Sequence, residues 1–237
     1  MRPRVLVLGA GGLGCAALLA LGRSGRALSI TIVDPDRVER SNLPRQVLYG
    51  ESDAGHGKAR LAAERLRADR IEARGLEAAF DAEGALALVR QHDLVIEGTD
   101  RHEAKLLAAD AAALGRVPIA QGGLVGWAGW ALGARPFESA CLRCLFEDVP
   151  AGAGVPTCAE NGVVGPAVGA LGTLLAELGL GLLDGRAEAA GRLFRLDLRA
   201  GTARSSVVRR RPGCALCGEP RAIHDLAAER YLPACAP

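Results

Sequence analysis

The chain has 237 residues with 29 Lys+Arg against 27 Asp+Glu, and this near-balance excludes any general electrostatic case for nucleic acid or membrane-surface binding. Met1-Arg2-Pro3-Arg4 is followed by only four apolar residues before Gly9, too few for a signal-peptide core, so a cytoplasmic protein is expected. In that compartment seven cysteines read as metal ligands, nucleophiles or small buried residues rather than as a disulfide framework.

Residues 5–8 are apolar and predict a buried strand; Gly9, Gly11 and Gly14 fit G-x-G-x-x-G, and residues 15–21 continue as a helix. The first glycine permits a tight turn, the second lets backbone approach phosphate, and the third lets helix and strand come close. The helix N-terminus adds free N–H groups and positive dipole. A second strand ends at Asp34, twenty residues after Gly14, where an acidic side chain reaches a ribose hydroxyl. Alone this pattern favours a dinucleotide-dependent enzyme; a glycine turn that binds nothing is the bland alternative.

Residues 35–46 have no sustained periodicity and run straight off that strand, so they should line the same site. Residues 57–68 predict an amphipathic helix with Leu61 and Leu66 inward. Lys58 in its first turn opposes the helix dipole, which a phosphate contact would explain; a solvated surface lysine is the alternative. A weaker strand over 72–80 and a helix over 82–91 lead to a fourth strand over 93–100. In an open parallel sheet its end places Asp100 on the rim with Gly11 and Asp34, suited to a metal or phosphate-bound Mg²⁺, or equally to capping a helix over 103–114. Residues 117–121 predict a fifth strand, and 124–132, with two tryptophans, a sixth. Strands alternating with helices mean a Rossmann-like, doubly wound, mostly parallel sheet.

The pattern then changes. Cys141 and Cys144 form one C-x-x-C pair, Cys214 and Cys217 another; together they supply four thiolates for a closed structural zinc, a redox pair being the alternative. Cys158 stands in a Gly/Pro-rich loop and reads as a candidate nucleophile or as a small loop side chain. Residues 162–183 carry Glu177 as their only charge. They are long enough for a membrane span, but the Gly/Ala/Val/Leu composition is read as a helix buried on all sides. Cys15 is expected in the core and Cys235 as a bystander.

Taken together, Gly-Ala-Gly-Gly-Leu-Gly at 9–14, Val33-Asp34, Asn42 with Arg45-Gln46, Lys58, Thr99-Asp100, the paired C-x-x-C motifs and Cys-Ala-Glu-Asn-Gly-Val-Val-Gly-Pro at 158–166 resemble the ThiF/MoeB/HesA proteins, bacterial relatives of ubiquitin-activating E1 enzymes. The resemblance spans nearly the whole chain as a single adenylation domain. Residues 1–135 are its nucleotide-binding α/β core, and residues 136–237 are a zinc, crossover-loop and antiparallel C-terminal part. It implies ATP-dependent adenylation of the C-terminal glycine carboxylate of a ubiquitin-fold sulfur carrier ending in Gly-Gly. It assigns Gly9, Gly11, Gly12, Gly14, Asp34, Asp36 and Gln46 to the nucleotide, Asn42, Arg45 and Lys58 to the phosphates, Asp100 to Mg²⁺ and Cys158 to covalent sulfur chemistry. A homodimer and a sulfurtransferase or cysteine desulfurase as sulfur source are implied too, with no direct nucleic acid or membrane partner. Two positions depart from the family pattern: Arg101 replaces the usual Asn, and Lys105 stands near where an Arg is usual. The family's N-terminal arginine, which enters a partner's ATP site, has no counterpart. The competing functions are an NAD-dependent oxidoreductase and a non-catalytic E1-like carrier-binding protein.

Overall fold

The computed structural model describes residues 1–149 and 162–232, so Cys158 and Cys235 lie outside the described residues. Its centre is β1 (Arg4–Leu8), whose side chains alternate between two cores. Val5 and Val7 pack into one with α1 (Gly12–Arg23), α2 (Lys58–Ala68) and the helix Gly165–Leu183. Leu6 and Leu8 pack into the other with α3 (Ala85–Val89) and α4 (His102–Gly115). A strand apolar on both faces is one covered by helices on both sides, as a parallel sheet requires. Leu94, Ile96 and Val95 of β4 (Leu94–Glu97) divide between the same two cores.

With β2 (Ser29–Val33), β3 (Glu72–Leu76), β5 (Ile119–Val125), β6 (Ala128–Ala134), β7 (Arg192–Asp197) and β8 (Thr202–Val207), the sheet runs β3-β2-β1-β4-β5-β6-β7-β8. The first five positions are parallel, and the pairs from β5 to β8 are antiparallel. The chain winds outward from β1 to β3 and returns to β4 on the other side, so β1 and β4 flank the switch point where such sheets bind ligands.

The strands expected over 72–80 and 93–100 shorten to β3 and β4, and two further boundaries change. Residues 124–132 are a hairpin rather than one strand: β5 continues through Val125, and Val125 pairs with Ala128 across a two-residue turn. Gly126 takes the first turn position at φ +58°, where a two-residue hairpin needs positive φ. The expected helix over 82–91 shortens to α3.

The apolar run at 162–183 forms α6 (Gly165–Leu183), long and apolar enough by length and composition to cross a membrane. Here it packs as a core helix, but it is not buried on all sides as expected: Pro166, Ala170, Thr173 and Glu177 form an exposed stripe, while Ala167, Val168, Leu171, Leu175 and Leu178 face the core. A Cβ at Gly172 would stand 2.5 Å from Cβ of Ala16 and one at Gly179 2.9 Å from Leu94, so these glycines let α6 lie directly on α1 and β4. A short helix, α5 (Leu142–Leu145), carries the first cysteine pair.

Candidate functional site

A cleft of about 620 Å³ opens beyond the carboxyl ends of β1, β2 and β4. Its floor is the glycine turn. Gly9 has φ +87°, and its N–H donates to Val33 O at 2.9 Å, binding the turn to the end of β2. A Cβ at Gly14 would lie 1.9 Å from Gly9 O, so only glycine permits this approach of α1 to β1. Around Gly11 the nearest atom to an added Cβ is 3.8 Å away, which leaves the turn open on the ligand side. The α1 N-terminus has no side-chain cap, so its N–H groups face the cleft without a side-chain partner.

Asp34 is 5% exposed, and both carboxylate oxygens are engaged. Ala10 N–H donates to one at 2.6 Å and Asp36 N–H to the other at 2.8 Å. Burial holds this carboxyl above the ordinary carboxylate range, against those N–H groups. Asp34 thus ties the glycine turn to the end of β2, and Asp36 is the exposed carboxylate of the pair.

Lys58 is no solvated surface lysine: it is 5% exposed, with Nζ 2.9 Å from Asp36 Oδ2. Tyr49, which the sequence did not single out, lies under both, its hydroxyl 2.9 Å from Ala10 O and 3.2 Å from Lys58 O. It couples the glycine turn to the start of α2. Cys15 donates to Ala10 O at 3.3 Å and is fully buried, which pushes its thiol up to about 12, the state of an inert core residue.

On the opposite wall Arg45 donates to Ser41 O at 3.2 Å and to Asn42 Oδ1, so the two cleft residues orient one another. Gln46 is 3% exposed, yet its Oε1 has no partner. A buried acceptor at a cleft wall is a group awaiting a donor. Asp100 is exposed, has no side-chain partner among the described residues, and does not cap α4, whose N-cap is Arg101. The cleft therefore gathers Gly9, Gly11, Gly12, Asp34, Asp36, Asn42, Arg45, Gln46, Lys58 and Asp100, with Gly14 packed behind the turn. Fixed cations and uncapped N–H groups facing a carboxylate with no side-chain partner among the described residues suit a polyphosphate with a divalent cation.

A second polar centre was invisible in the sequence. Glu97 is fully buried at the end of β4 and pairs with the 5%-exposed Lys105 of α4, Nζ lying 3.1 and 3.2 Å from its two oxygens.

The four cysteines converge as expected. Sγ of Cys141 lies 3.9, 3.6 and 3.5 Å from those of Cys144, Cys214 and Cys217, and those of Cys144 and Cys217 are 3.4 Å apart. A tetrahedral shell with Zn–S of about 2.3 Å spaces its sulfurs about 3.8 Å apart, so the cluster fits a zinc ion closely. Between the first two cysteines, the buried Arg143 reaches Asp110 of α4 at 2.8 Å, and the Tyr231 hydroxyl donates to the same carboxylate at 2.8 Å.

The model of the ThiF family matches residues 1–216. A sulfur carrier protein adenylyltransferase of Thermus thermophilus is 38% identical over 228 residues, covering 92% of this chain and 83% of that protein. A SAMP-activating enzyme E1 of Haloferax volcanii is 34% identical over 239 residues, covering 100% of this chain and 87% of that protein. Among solved structures, E. coli MccB with ATP superposes with a TM-score of 0.77 over 91% of this chain and 67% of that one; at 20% identity this bears on the fold alone. With the family match running across the cleft and the first cysteine pair into the second cysteine turn, the chain belongs to the ThiF family.

Proposed function

We propose that the protein uses MgATP to adenylate the C-terminal glycine carboxylate of a small ubiquitin-fold sulfur carrier ending in Gly-Gly, releasing pyrophosphate. The observation that carries this reading is the cleft at the switch point. It sets buried Lys58, Arg45 and the uncapped α1 N-terminus against the Asp100 carboxylate, which has no side-chain partner among the described residues. The names of the Thermus and Haloferax relatives support the same chemistry.

The attacking carboxylate is ionised near neutral pH, so no general base is needed. Two anions must meet, and the fixed charges of Arg45 and Lys58 offset their repulsion and the charge that develops at the α-phosphate. The glycine turn receives phosphate oxygens, and Asp34, whose two oxygens each accept one backbone N–H and keep further acceptor capacity, takes the ribose at the end of β2, with Asp36 paired to Lys58 beside it. Mg²⁺ held at Asp100 would neutralise the departing pyrophosphate. An NAD-dependent oxidoreductase would leave the arrangement of Lys58, Arg45 and Asp100 without a role. Titration with ATP and with NAD, followed by pyrophosphate exchange in the presence of a Gly-Gly carrier, tests the reading. ATP binding with carrier-dependent exchange is expected; NAD binding without exchange overturns it.

The four cysteines are assigned one structural zinc per chain. Their closed shell leaves no open position for substrate, and we assign the protein to the cytoplasm, where such thiolates stay reduced. Elemental analysis of protein purified under reducing conditions is expected to give one zinc, with these thiols protected from titration; freely titratable thiols and no zinc would remove the site.

Cys158 is assigned to the covalent step that follows activation, with sulfur supplied by a sulfurtransferase or cysteine desulfurase, and the enzyme acts as a homodimer. Adenylation needs only phosphate contacts and an ionised carboxylate. Cys158→Ser should therefore leave pyrophosphate exchange within about threefold of wild type, a change too small for a lost transition-state contact. It should also abolish the enzyme–carrier adduct seen by mass spectrometry without reductant. An adduct that persists in the variant assigns Cys158 to packing.

A further inference from the structure

The Glu97 and Lys105 pair does more than neutralise itself. Glu97 Oε1 accepts from Thr99 N–H at 2.7 Å and from the Thr99 hydroxyl at 2.5 Å. Lys105 Nζ donates to Thr99 O at 2.7 Å and also to the Gly122 carbonyl of β5. Thr99 is thus held through its N–H, hydroxyl and carbonyl by one buried ion pair, and the next residue is Asp100, exposed and without a side-chain partner among the described residues. An ammonium has three N–H donors. Here Glu97, Thr99 and Gly122 take them all, so Lys105 has none to give a phosphate.

A buried ion pair contributes little net stability compared with apolar residues of similar size, because both charges lose their hydration. This one sits at the rim of the cleft, where the ends of β4 and β5 meet the Thr99-Asp100 turn. We propose that Glu97 and Lys105 are positioning residues that fix the backbone at Thr99 so that the Asp100 carboxylate meets the metal of MgATP without a search. Holding a ligand group in place before binding removes the cost of ordering it at the moment of binding. The proposal rests on the reading of Asp100 as the metal-facing carboxylate.

The test is calorimetric titration of ATP into the full-length protein with and without Mg²⁺. Wild type is expected to bind ATP more tightly with the metal. Glu97→Gln should cut that gain at least fivefold while affinity for metal-free ATP stays within twofold. Asp100→Ala should lose the same gain, and the double variant should lose no more, since both substitutions act through one carboxylate. An undiminished gain in Glu97→Gln, or losses that multiply in the double variant, overturns the proposal; a general loss of packing would weaken ATP binding with and without metal alike. Should Glu97→Gln fail to fold, Thr99→Val carries the test. It removes only the hydroxyl donor, and a gain reduced at least twofold supports the proposal where an unchanged gain overturns it. Wild type that binds ATP but gains nothing from Mg²⁺ removes the proposal while leaving the pyrophosphate-exchange test of adenylation standing; wild type that binds no ATP overturns both.

Discussion

Asp100→Ala and Arg45→Ala are each expected to lower carrier-dependent pyrophosphate exchange about a hundredfold while the fold stays intact. Removing one preorganised charge contact from a developing transition state costs about 3 kcal/mol, or roughly two orders of magnitude in rate. Neither change disturbs a core. Among the described residues, Asp100 is exposed with no side-chain partner, and the Arg45 guanidinium reaches only Ser41 O and the Asn42 side chain on its own loop. The two variants should differ in kind: Asp100→Ala becomes insensitive to the metal concentration, whereas Arg45→Ala keeps its metal dependence. Circular dichroism matching wild type, with exchange measured across a Mg²⁺ series, checks both. Exchange within threefold of wild type in either variant strikes that residue from the machinery.

How much of this was legible depended on whether a residue's role is set locally. The strand, glycine turn and helix at 5–21 were legible because each glycine answers a contact inside the same unit: Gly14 meets Gly9, and Gly9 meets the end of the next strand. The thiolate quartet was legible for a related reason, since each pair sits in its own turn and only the meeting of the pairs is long-range. The β5–β6 hairpin was missed because Gly122, Gly123, Gly126 and Gly129 blur the alternation that marks a strand. Lys58 could be suspected from its clash with the helix dipole, but its burial depends on Asp36 and Tyr49, which only the folded chain brings beside it. Asp34 stands where a ribose ligand would, but its bonds to the Ala10 and Asp36 N–H groups, which tie the glycine turn to β2, could not be read from the sequence. Glu97 gave no signal at all. A glutamate closing an apolar strand reads as its solvent end, and the lysine that pairs with it lies a helix turn inside α4. Asp110 was hidden in the same way, in an alanine-rich helix whose partner Arg143 belongs to the cysteine turn.

That last pair carries the second large expected effect. Asp110 has a fully buried side chain, and the Arg143 side chain is 3% exposed. Nε and Nη2 of the guanidinium address both carboxylate oxygens, while Tyr231, near the end of the described chain, donates to one of them. Asp110→Ala leaves the buried Arg143 charge with only the exposed Asp148 carboxylate at 3.8 Å and the tyrosine hydroxyl without its acceptor. Breaking a buried pair from one side costs about 3–5 kcal/mol, because the remaining charge cannot recover its hydration. For a chain of this size that corresponds to a melting temperature lower by roughly 6–20 °C. The loss should also reach the thiolate shell, because Arg143 lies between Cys141 and Cys144 and donates to Glu147 O at 2.7 Å, holding the turn that presents both sulfurs. Zinc should therefore pass to a chromogenic chelator faster from Asp110→Ala than from wild type. Tyr231→Phe, which keeps the ion pair and removes one hydrogen bond to a charged group, should cost about 1.5–3 kcal/mol and leave zinc release closer to wild type. Thermal unfolding of the three proteins, with zinc release followed in parallel, decides the matter. An Asp110→Ala protein as stable as Tyr231→Phe, releasing zinc at the wild-type rate, would show that the cysteine turn holds its shape without the pair.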